Sequence, residues 1–457
     1  MRLLLDELDS PTDLAARAAG IAGLLDSHGA VAGRPVAVMT DRTLALALLA
    51  LAAPMLGCPL FPLDPAQPEA QAAALLDLTG GAVLVADRPP GGRPAISVGE
   101  VLAAPPAVPR PARPRPSDLA LLVATSGSTG APKAVMLTEG NLAASAAASA
   151  HLLPLRPDRC WLGCLPLFHV GGYSIVTRCA YAGAEAVLQQ GFDAQRVLRV
   201  LADAGITHLS LVPAMLAQLL DASDGAAPPS LRHVLVGGAA LSSQLAERAA
   251  GRGWPVQPTY GMSETASQIA TLPVLPRPWR QGRVGRPLPG AEAALGEDGR
   301  LRVRGPMVMA GYANPGLVPG DGLEDGWFVT GDLAEIDADG ALTILGRCDD
   351  VIVSGGKKVM PALVEEALAR CPGVDAVGVV GRKDAVWGEV VTAVYCGAPE
   401  PAALLGWCRA EIAGALRPRA AIRVAVLPRL ANGKPDRLAL RRLAEGDASE
   451  PGGVVQD

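Results

Sequence analysis

Paired cysteines, excess positive charge and unbroken apolar spans are all wanting in this sequence, and each gap removes a class of protein. Its eight cysteines include no C-x-x-C. Cys160 and Cys164 stand close, but no second His or Cys pair follows at zinc-ligand spacing, so they read as reduced thiols of a cytosolic protein. Lys and Arg number 40 against 45 Asp and Glu, a net charge of −5. Nonspecific nucleic-acid binding needs a basic face, which this balance does not supply. The opening MRLLLDELDSPTD meets acidic residues at once and lacks the long apolar core of a secretion signal. The longest uncharged apolar run, Leu44 to Leu63, has the length of a membrane span. Pro54, Gly57, Pro59 and Pro62 interrupt its second half, and it reads instead as a buried helix, a turn and a strand. No internal repeat is found. The expectation is a cytoplasmic chain with no membrane span.

What is present is material for a large core. Half of the 457 residues are hydrophobic and only 19% are charged, a composition that excludes disorder and suggests two or more domains. Short apolar runs alternate with helical patterns. Pro35 to Met39, Ala82 to Val85, His208 to Val212 and His233 to Val236 read as strands, and Thr43 opens a helix. This alternation predicts an α/β architecture with substantial parallel sheet. Arg88 to Pro116, rich in Pro, Arg and Ala, reads as a surface connection. A boundary falls near Arg347 to Asp350. Beyond it, a helix from Pro361 to Arg370, a strand from Val374 to Val380 and the apolar run Val390 to Tyr395 suggest a small α+β domain. GDASEPGGVVQD reads as a frayed tail.

The most informative stretch is Leu121 to Asn141, LLVATSGSTGAPKAVMLTEGN. An apolar strand runs into a loop of glycines and hydroxyls, then a lysine. Glycines admit close backbone approach, amides and hydroxyls donate, and lysine adds charge, so the loop suits polyphosphate. It is not a Walker A loop, because Pro132 stands where glycine is needed before the lysine. Nor is it the G-x-S-x-G elbow of a hydrolase. By composition alone it could equally be a plain Gly/Ser turn.

TSGSTGAPK resembles the first signature of the adenylate-forming, AMP-binding superfamily, which includes acyl-CoA synthetases, luciferases and peptide-synthetase adenylation domains. Further motifs follow in the family's order: LALAAPMLGCPLFPLDP at Leu49 to Pro65, LPLFHVGGYS at Leu165 to Ser174, VGGAAL at Val236 to Leu241 and YGMSETAS at Tyr260 to Ser267. GWFVTGD at Gly326 to Asp332, GRCDDVIVSGGKKVMP at Gly346 to Pro361 and LANGKPDR at Leu430 to Arg437 complete the set. The resemblance covers nearly the whole chain. It implies an α/β fold with a large N-terminal domain, residues 1–347, built of parallel-rich sheets packed by helices in several subdomains. A hinge at 348–350 and a small mobile α+β C-terminal domain, 351–445, would follow, with 446–457 as a disordered tail.

The resemblance also implies roles. Thr125, Ser126, Gly127, Ser128, Thr129, Gly130 and Lys133 would bind the β and γ phosphates of ATP, with Thr129 catalytic among them. Ala134 stands where the family usually has glycine, which costs flexibility but removes no donor. Gly238, Ala239, Gly261 and Ser263 would border the nucleotide, and Ser263 keeps the hydroxyl of the commoner threonine. Tyr260 would stack on adenine, and Glu264 would ligate Mg2+, an ion that prefers carboxylate and phosphate oxygens. Asp332 would accept from both ribose hydroxyls, its two oxygens facing two donors, with Arg347 beside it. Lys434 would stabilise the charge that builds when a carboxylate attacks the α-phosphate. Asp349 would be the hinge, and the Gly355 and Gly356 loop would help form the coenzyme A channel.

For the acyl pocket the resemblance implies His169, Gly171, Gly172, Ser174, Arg178, Gly237 and Ser267, with His169 also catalytic in gating the thiol. The reaction implied is acyl-adenylate formation followed by thioester formation, of the acyl-CoA synthetase type. The acid implied is an aromatic one such as 2-succinylbenzoate, of menaquinone biosynthesis. Its second carboxylate calls for a cation, and Arg178 could serve or could pair with Glu185. Fatty or aryl acids, a carrier protein as acceptor and an inactive binding protein on the same fold are the alternatives.

Overall fold

The computed structural model describes residues 2–5, 14–80, 83–109, 114–126, 132–223, 225–429, 435–446 and 454–456. The run from Leu44 to Leu63 folds as its punctuation demands. The helix Thr43–Ala52 is apolar on every side and buried, as an all-round hydrophobic helix must be. Pro54 tightens the chain into one short turn, Gly57 reverses it in the left-handed region, and Leu60–Leu63 emerges as a fully buried strand.

That strand belongs to a six-stranded sheet ordered 311–312, 132–138, 119–126, 60–63, 36–39 and 83–86. The pairings among 119–126, 60–63, 36–39 and 83–86 are parallel, and the two at the other end, 119–126 with 132–138 and 132–138 with 311–312, are antiparallel. A seven-stranded sheet runs 2–5, 185–188, 160–163, 208–211, 233–236, 256–260 and 270–271. It is parallel until its last pairing, and its central strands, 160–163, 208–211 and 233–236, are buried almost throughout, as in a sheet covered on both faces. A five-stranded antiparallel sheet, 283–347, completes the large domain.

Residues 352–423 and 454–456 form a separate six-stranded sheet with its own buried core. The helix Pro361–Leu368 packs on the long hairpin Val374–Asp384 and Gly388–Gly397. A large parallel-rich domain and a small α+β domain are thus both present. Two local expectations change. Arg88 to Pro116, read as a surface connection, holds a short helix: Ser97 and Glu100 form a reciprocal capping box for Val98–Ala103, a signature that the Pro-rich flanks mask. Val454–Gln456, within the expected disordered tail, pairs antiparallel with Ala420–Arg423.

Candidate active site

Ligands of open α/β sheets bind beyond the carboxyl ends of parallel strands. His208–Leu211, His233–Val236 and Val256–Tyr260 run parallel, the third reaching two residues beyond the other two. Gly237 follows the second, its amide donating to the Leu211 carbonyl at 3.2 Å. Gly238 is left-handed at φ 75°, and Ala239 beside it is half-buried. The third strand delivers Tyr260, whose hydroxyl donates to Oδ2 of Asp332 at 2.7 Å. Burial, then the Asp332 charge, hold that phenol well above its usual pKa, so it remains a donor.

Asp332 lies in the strand Phe328–Ile336, directly opposite Arg347 in the ladder. Arg347 stands 3.8 Å from Asp332 Oδ1 and 3.0 Å from Asp349 Oδ2. Gly331 makes room for it, since a β-carbon there would sit 2.5 Å from the guanidinium.

Thr125 stands opposite Lys133 in the ladder, and the Ser126 backbone, which ends the strand, pairs with Pro132. The Lys133 ammonium lies 4.8 Å above the centre of the Tyr312 ring. The Tyr312 hydroxyl donates to Glu264 Oε1 at 2.8 Å. Glu264 occupies the short turn Ser263–Thr265, pinned where its carbonyl accepts from the Met309 amide at 2.8 Å. Gly127, Ser128, Thr129, Gly130 and Lys434 lie outside the described residues. Among the described residues no group of three or more His, Cys, Asp or Glu could hold a metal. One carboxylate still suits Mg2+, which takes one or two and fills its shell with phosphate oxygens and water.

Two residues expected at the acyl pocket, Ser174 and Ser267, meet where the Tyr260–Ser267 loop folds back. Ala266 and Ser267 are forced to φ 48° and 92°, strain of the kind that functional sites retain. The loop can fold back only over glycine: a β-carbon on Gly261 would sit 1.9 Å from the Ser267 carbonyl oxygen. Ser267 thereby meets Ser174, their hydroxyls 3.3 Å apart. Ser174, in the helix Val170–Ala182, also donates to the Gly171 carbonyl at 2.9 Å. Gly172 is buried, while His169 is exposed just ahead of the helix, its ring edge-on to Phe168 at 4.8 Å.

Arg178 is one helical turn beyond Ser174, so the two share a face. Its residue is only 4% exposed. Its Nε and Nη2 have no hydrogen-bond partner among the described residues. The guanidinium lies 5.6 Å from the centre of the Trp161 ring, and burial pushes its pKa down to about 10. It faces a cavity of about 240 Å³ between this helix and Glu139–Leu152, shared with Ser149, Trp161 and Tyr181. The Ser149 hydroxyl there also lacks a partner among the described residues.

Gly355 and Gly356 turn the small-domain hairpin of Ile352–Ser354 and Lys357–Val359. The Gly355 amide already donates to the Trp387 carbonyl at 2.9 Å, which leaves Gly356 the more open of the two. Asp349 sits in the turn Cys348–Asp350, with its carbonyl accepting from Arg441 at 3.1 Å. Across the domains, Ser243 donates to Glu366 at 2.8 Å.

Sequence reasoning missed Tyr312, Trp161 and Ser149. The GY of MAGYAN offered a signal for Tyr312, but an aromatic in a short strand says nothing of a partner 48 residues away. Gln268, next to Ser267, is buried and donates to Thr271.

Two family profiles match this chain. The one described as AMP-binding enzyme covers residues 11–313, and AMP-binding enzyme C-terminal domain covers 363–434. The chain is 38% identical to the 2-succinylbenzoate–CoA ligase of Bacillus mycoides over 71% of its own length and 70% of that relative's. Its fold is similar to o-succinylbenzoate CoA synthetase of Bacillus subtilis in complex with the acyl-adenylate intermediate, at TM-score 0.86 and 30% identity, covering 99% of this chain and 96% of the other. Against a double mutant of that synthetase bound to a product analogue, the TM-score is 0.72, again at 30% identity, with 100% and 96% covered.

Proposed function

The chain belongs to the AMP-binding enzyme family, and from that membership we propose that it joins an aromatic dicarboxylic acid of the 2-succinylbenzoate kind to coenzyme A. ATP-dependent, AMP-forming ligation through an acyl-adenylate is its chemistry. An oxygen of the acid's carboxylate bonds to the α-phosphorus as the bond to pyrophosphate breaks. The coenzyme A thiolate then bonds to the acyl carbon, and AMP leaves.

In this reading Lys133, Thr125 and the 126–130 loop hold the phosphates. Asp332 exchanges its Tyr260 partner for the ribose hydroxyls, and Arg347 holds that carboxylate in place. Tyr260 keeps its ring against the base. Glu264 would hold Mg2+, which supplies charge to offset that of the triphosphate. Lys434 is assigned to the attacking and leaving oxygens.

The division between domains is placed at 348–350, with Asp349 as pivot, since its carboxylate is tied to Arg347 and its carbonyl to Arg441. At equal identity, the chain fits the acyl-adenylate complex better than the product-analogue complex. That difference supports reading the present arrangement as the one for the first half-reaction. A turn of the small domain would then bring Gly356 toward the thiol.

The observation that carries the choice of acid is Arg178: a buried cation with open hydrogen-bond donors, facing a cavity one turn beyond the acyl-site Ser174. A buried unpaired charge is costly and is retained where a ligand neutralises it. The ATP and coenzyme A this reaction needs support a cytoplasmic location. No described helix is long and apolar enough to cross a membrane, and no disulfide joins any of the eight cysteines.

The test is a panel of acids assayed by mass spectrometry for ATP-dependent acyl-CoA. 2-Succinylbenzoate should outrun benzoate and medium-chain fatty acids by at least about a hundredfold in kcat/KM, the worth of one buried charge-assisted pair. Equal turnover of benzoate would sink the dicarboxylate reading. Thioester found only on a carrier protein would move the acceptor away from coenzyme A.

A further inference from the structure

Lys133 and Glu264 carry opposite charges at one site, form no ion pair with each other among the described residues, and are both engaged by the Tyr312 side chain. Tyr312 comes from the two-residue strand Gly311–Tyr312 at the edge of the six-stranded sheet. Its register partner there is Val135. Lys133, two residues earlier, therefore projects on the same face as its diagonal neighbour. The ammonium rests 4.8 Å from the ring centre while the hydroxyl, at the far end of the same ring, donates to Glu264 at 2.8 Å.

The ring is held from several directions. The Tyr312 amide donates to the Asp321 carbonyl at 2.8 Å, and its neighbours Ala310 and Ala313 bond across to Met136 and Ala134. Phe328 meets the ring edge-on at 6.4 Å. Gly322 lies so close that a β-carbon there would stand 2.5 Å from the ring. A phenol fixed this tightly is not a surface contact that happens to touch two charges.

We propose that Tyr312 is a positioning residue of the phosphate site: it holds the metal-binding carboxylate and the phosphate-binding ammonium apart, both open to one magnesium-bound triphosphate. Without it the two charges would close on each other, and a ligand would first have to part them. The hydroxyl fixes one lone pair of Glu264 and leaves the others for the cation. The ring faces Lys133 with a weak attraction that a phosphate outbids. This rests on the roles proposed above for Lys133 and Glu264.

The test compares the full-length protein with Tyr312→Phe and Tyr312→Leu. Binding of an ATP analogue with a methylene between the α and β phosphorus atoms is measured by calorimetry over a series of Mg2+ concentrations, alongside pyrophosphate release and the KM for the acid. Tyr312→Phe keeps the ring and its packing. It should raise the Mg2+ needed for half-saturation about tenfold, the lower end of the effect of losing an outer-shell partner, and leave the acid's KM unchanged. Tyr312→Leu should also weaken analogue binding without Mg2+, since Lys133 loses its seat. An unaltered Mg2+ dependence in Tyr312→Phe overturns the proposal. So does a uniform loss across nucleotide, metal and acid parameters, the mark of a merely structural role. Failure of the unsubstituted protein to bind the analogue at any Mg2+ concentration would overturn the underlying functional reading as well, and is told apart by that control.

Discussion

The hydroxyl of Tyr260 and the carboxylate of Asp332, 72 residues apart in the chain, meet across 2.7 Å. One residue ends a parallel strand of the seven-stranded sheet and the other sits mid-strand in the antiparallel sheet, so the contact joins two layers of the large domain. It also occupies one oxygen of the carboxylate that a ribose diol would need.

The two partners should therefore behave unequally on substitution. Asp332→Ala removes both acceptors and should raise the KM for ATP at least tenfold, since one bond to a charged group is worth about 1.5–3 kcal/mol. Tyr260→Phe removes only the competing donor and should change that KM by less than about threefold. Steady-state kinetics at saturating acid separate the cases, and equal losses would mean that Asp332 serves packing rather than the nucleotide.

Arg178 should show opposed effects on stability and activity. Arg178→Met replaces a buried cation lacking partners on two nitrogens with an apolar chain of similar reach, and should stabilise the protein by about 1 kcal/mol or more. The same substitution should raise the KM for a dicarboxylic acid about thirtyfold or more while leaving the KM for ATP alone. Thermal melts and acid titrations read the two effects. A destabilised variant with unaltered acid KM would make Arg178 structural.

The half-reactions should separate genetically. Lys434→Ala should cut ATP–pyrophosphate exchange by more than about a hundredfold, the order for losing a preorganised transition-state charge. Asp349→Pro fixes a backbone angle at the pivot and should slow thioester formation more than adenylation. Near-normal exchange in the first variant, or equal losses in the second, would withdraw the corresponding role.

His208 should make the fold acid-sensitive. It is stacked between Trp161 at 5.0 Å and His233 at 4.7 Å, and its Nε2 is buried without a partner among the described residues. Burial first, then the neighbouring His233 and Arg159, push its pKa from 6.5 down to about 3. The folded pKa lies below the unfolded one, so below pH 6.5 the unfolded chain binds the extra proton. The stability owed to neutral His208 is complete above that pH and is lost as pH falls toward about 3. Urea unfolding should weaken across this window by at most about 1.4 kcal/mol per pH unit for one proton. His208→Gln should flatten the slope, and an unchanged slope would place the titration elsewhere.

Much of this protein was readable from residue order because the information is local. Pro54 and Gly57 break an apolar run wherever it folds, Val83–Ala86 and His233–Val236 are β-branched or leucine runs that make buried strands in any parallel sheet, and TSGSTGAPK places small donors beside a lysine by adjacency alone. The kind of reaction and the nucleotide motifs follow from such strings. What only the tertiary structure decided are the contacts between strings. That Tyr312 would touch both Lys133 and Glu264, that Tyr260 would cap Asp332, and that Arg178 would lie buried against Trp161 depend on sheet order, strand register and helix packing. Those are set by how the whole core closes, because a side chain's partner is chosen by burial and distance in space, and no short window of sequence encodes either.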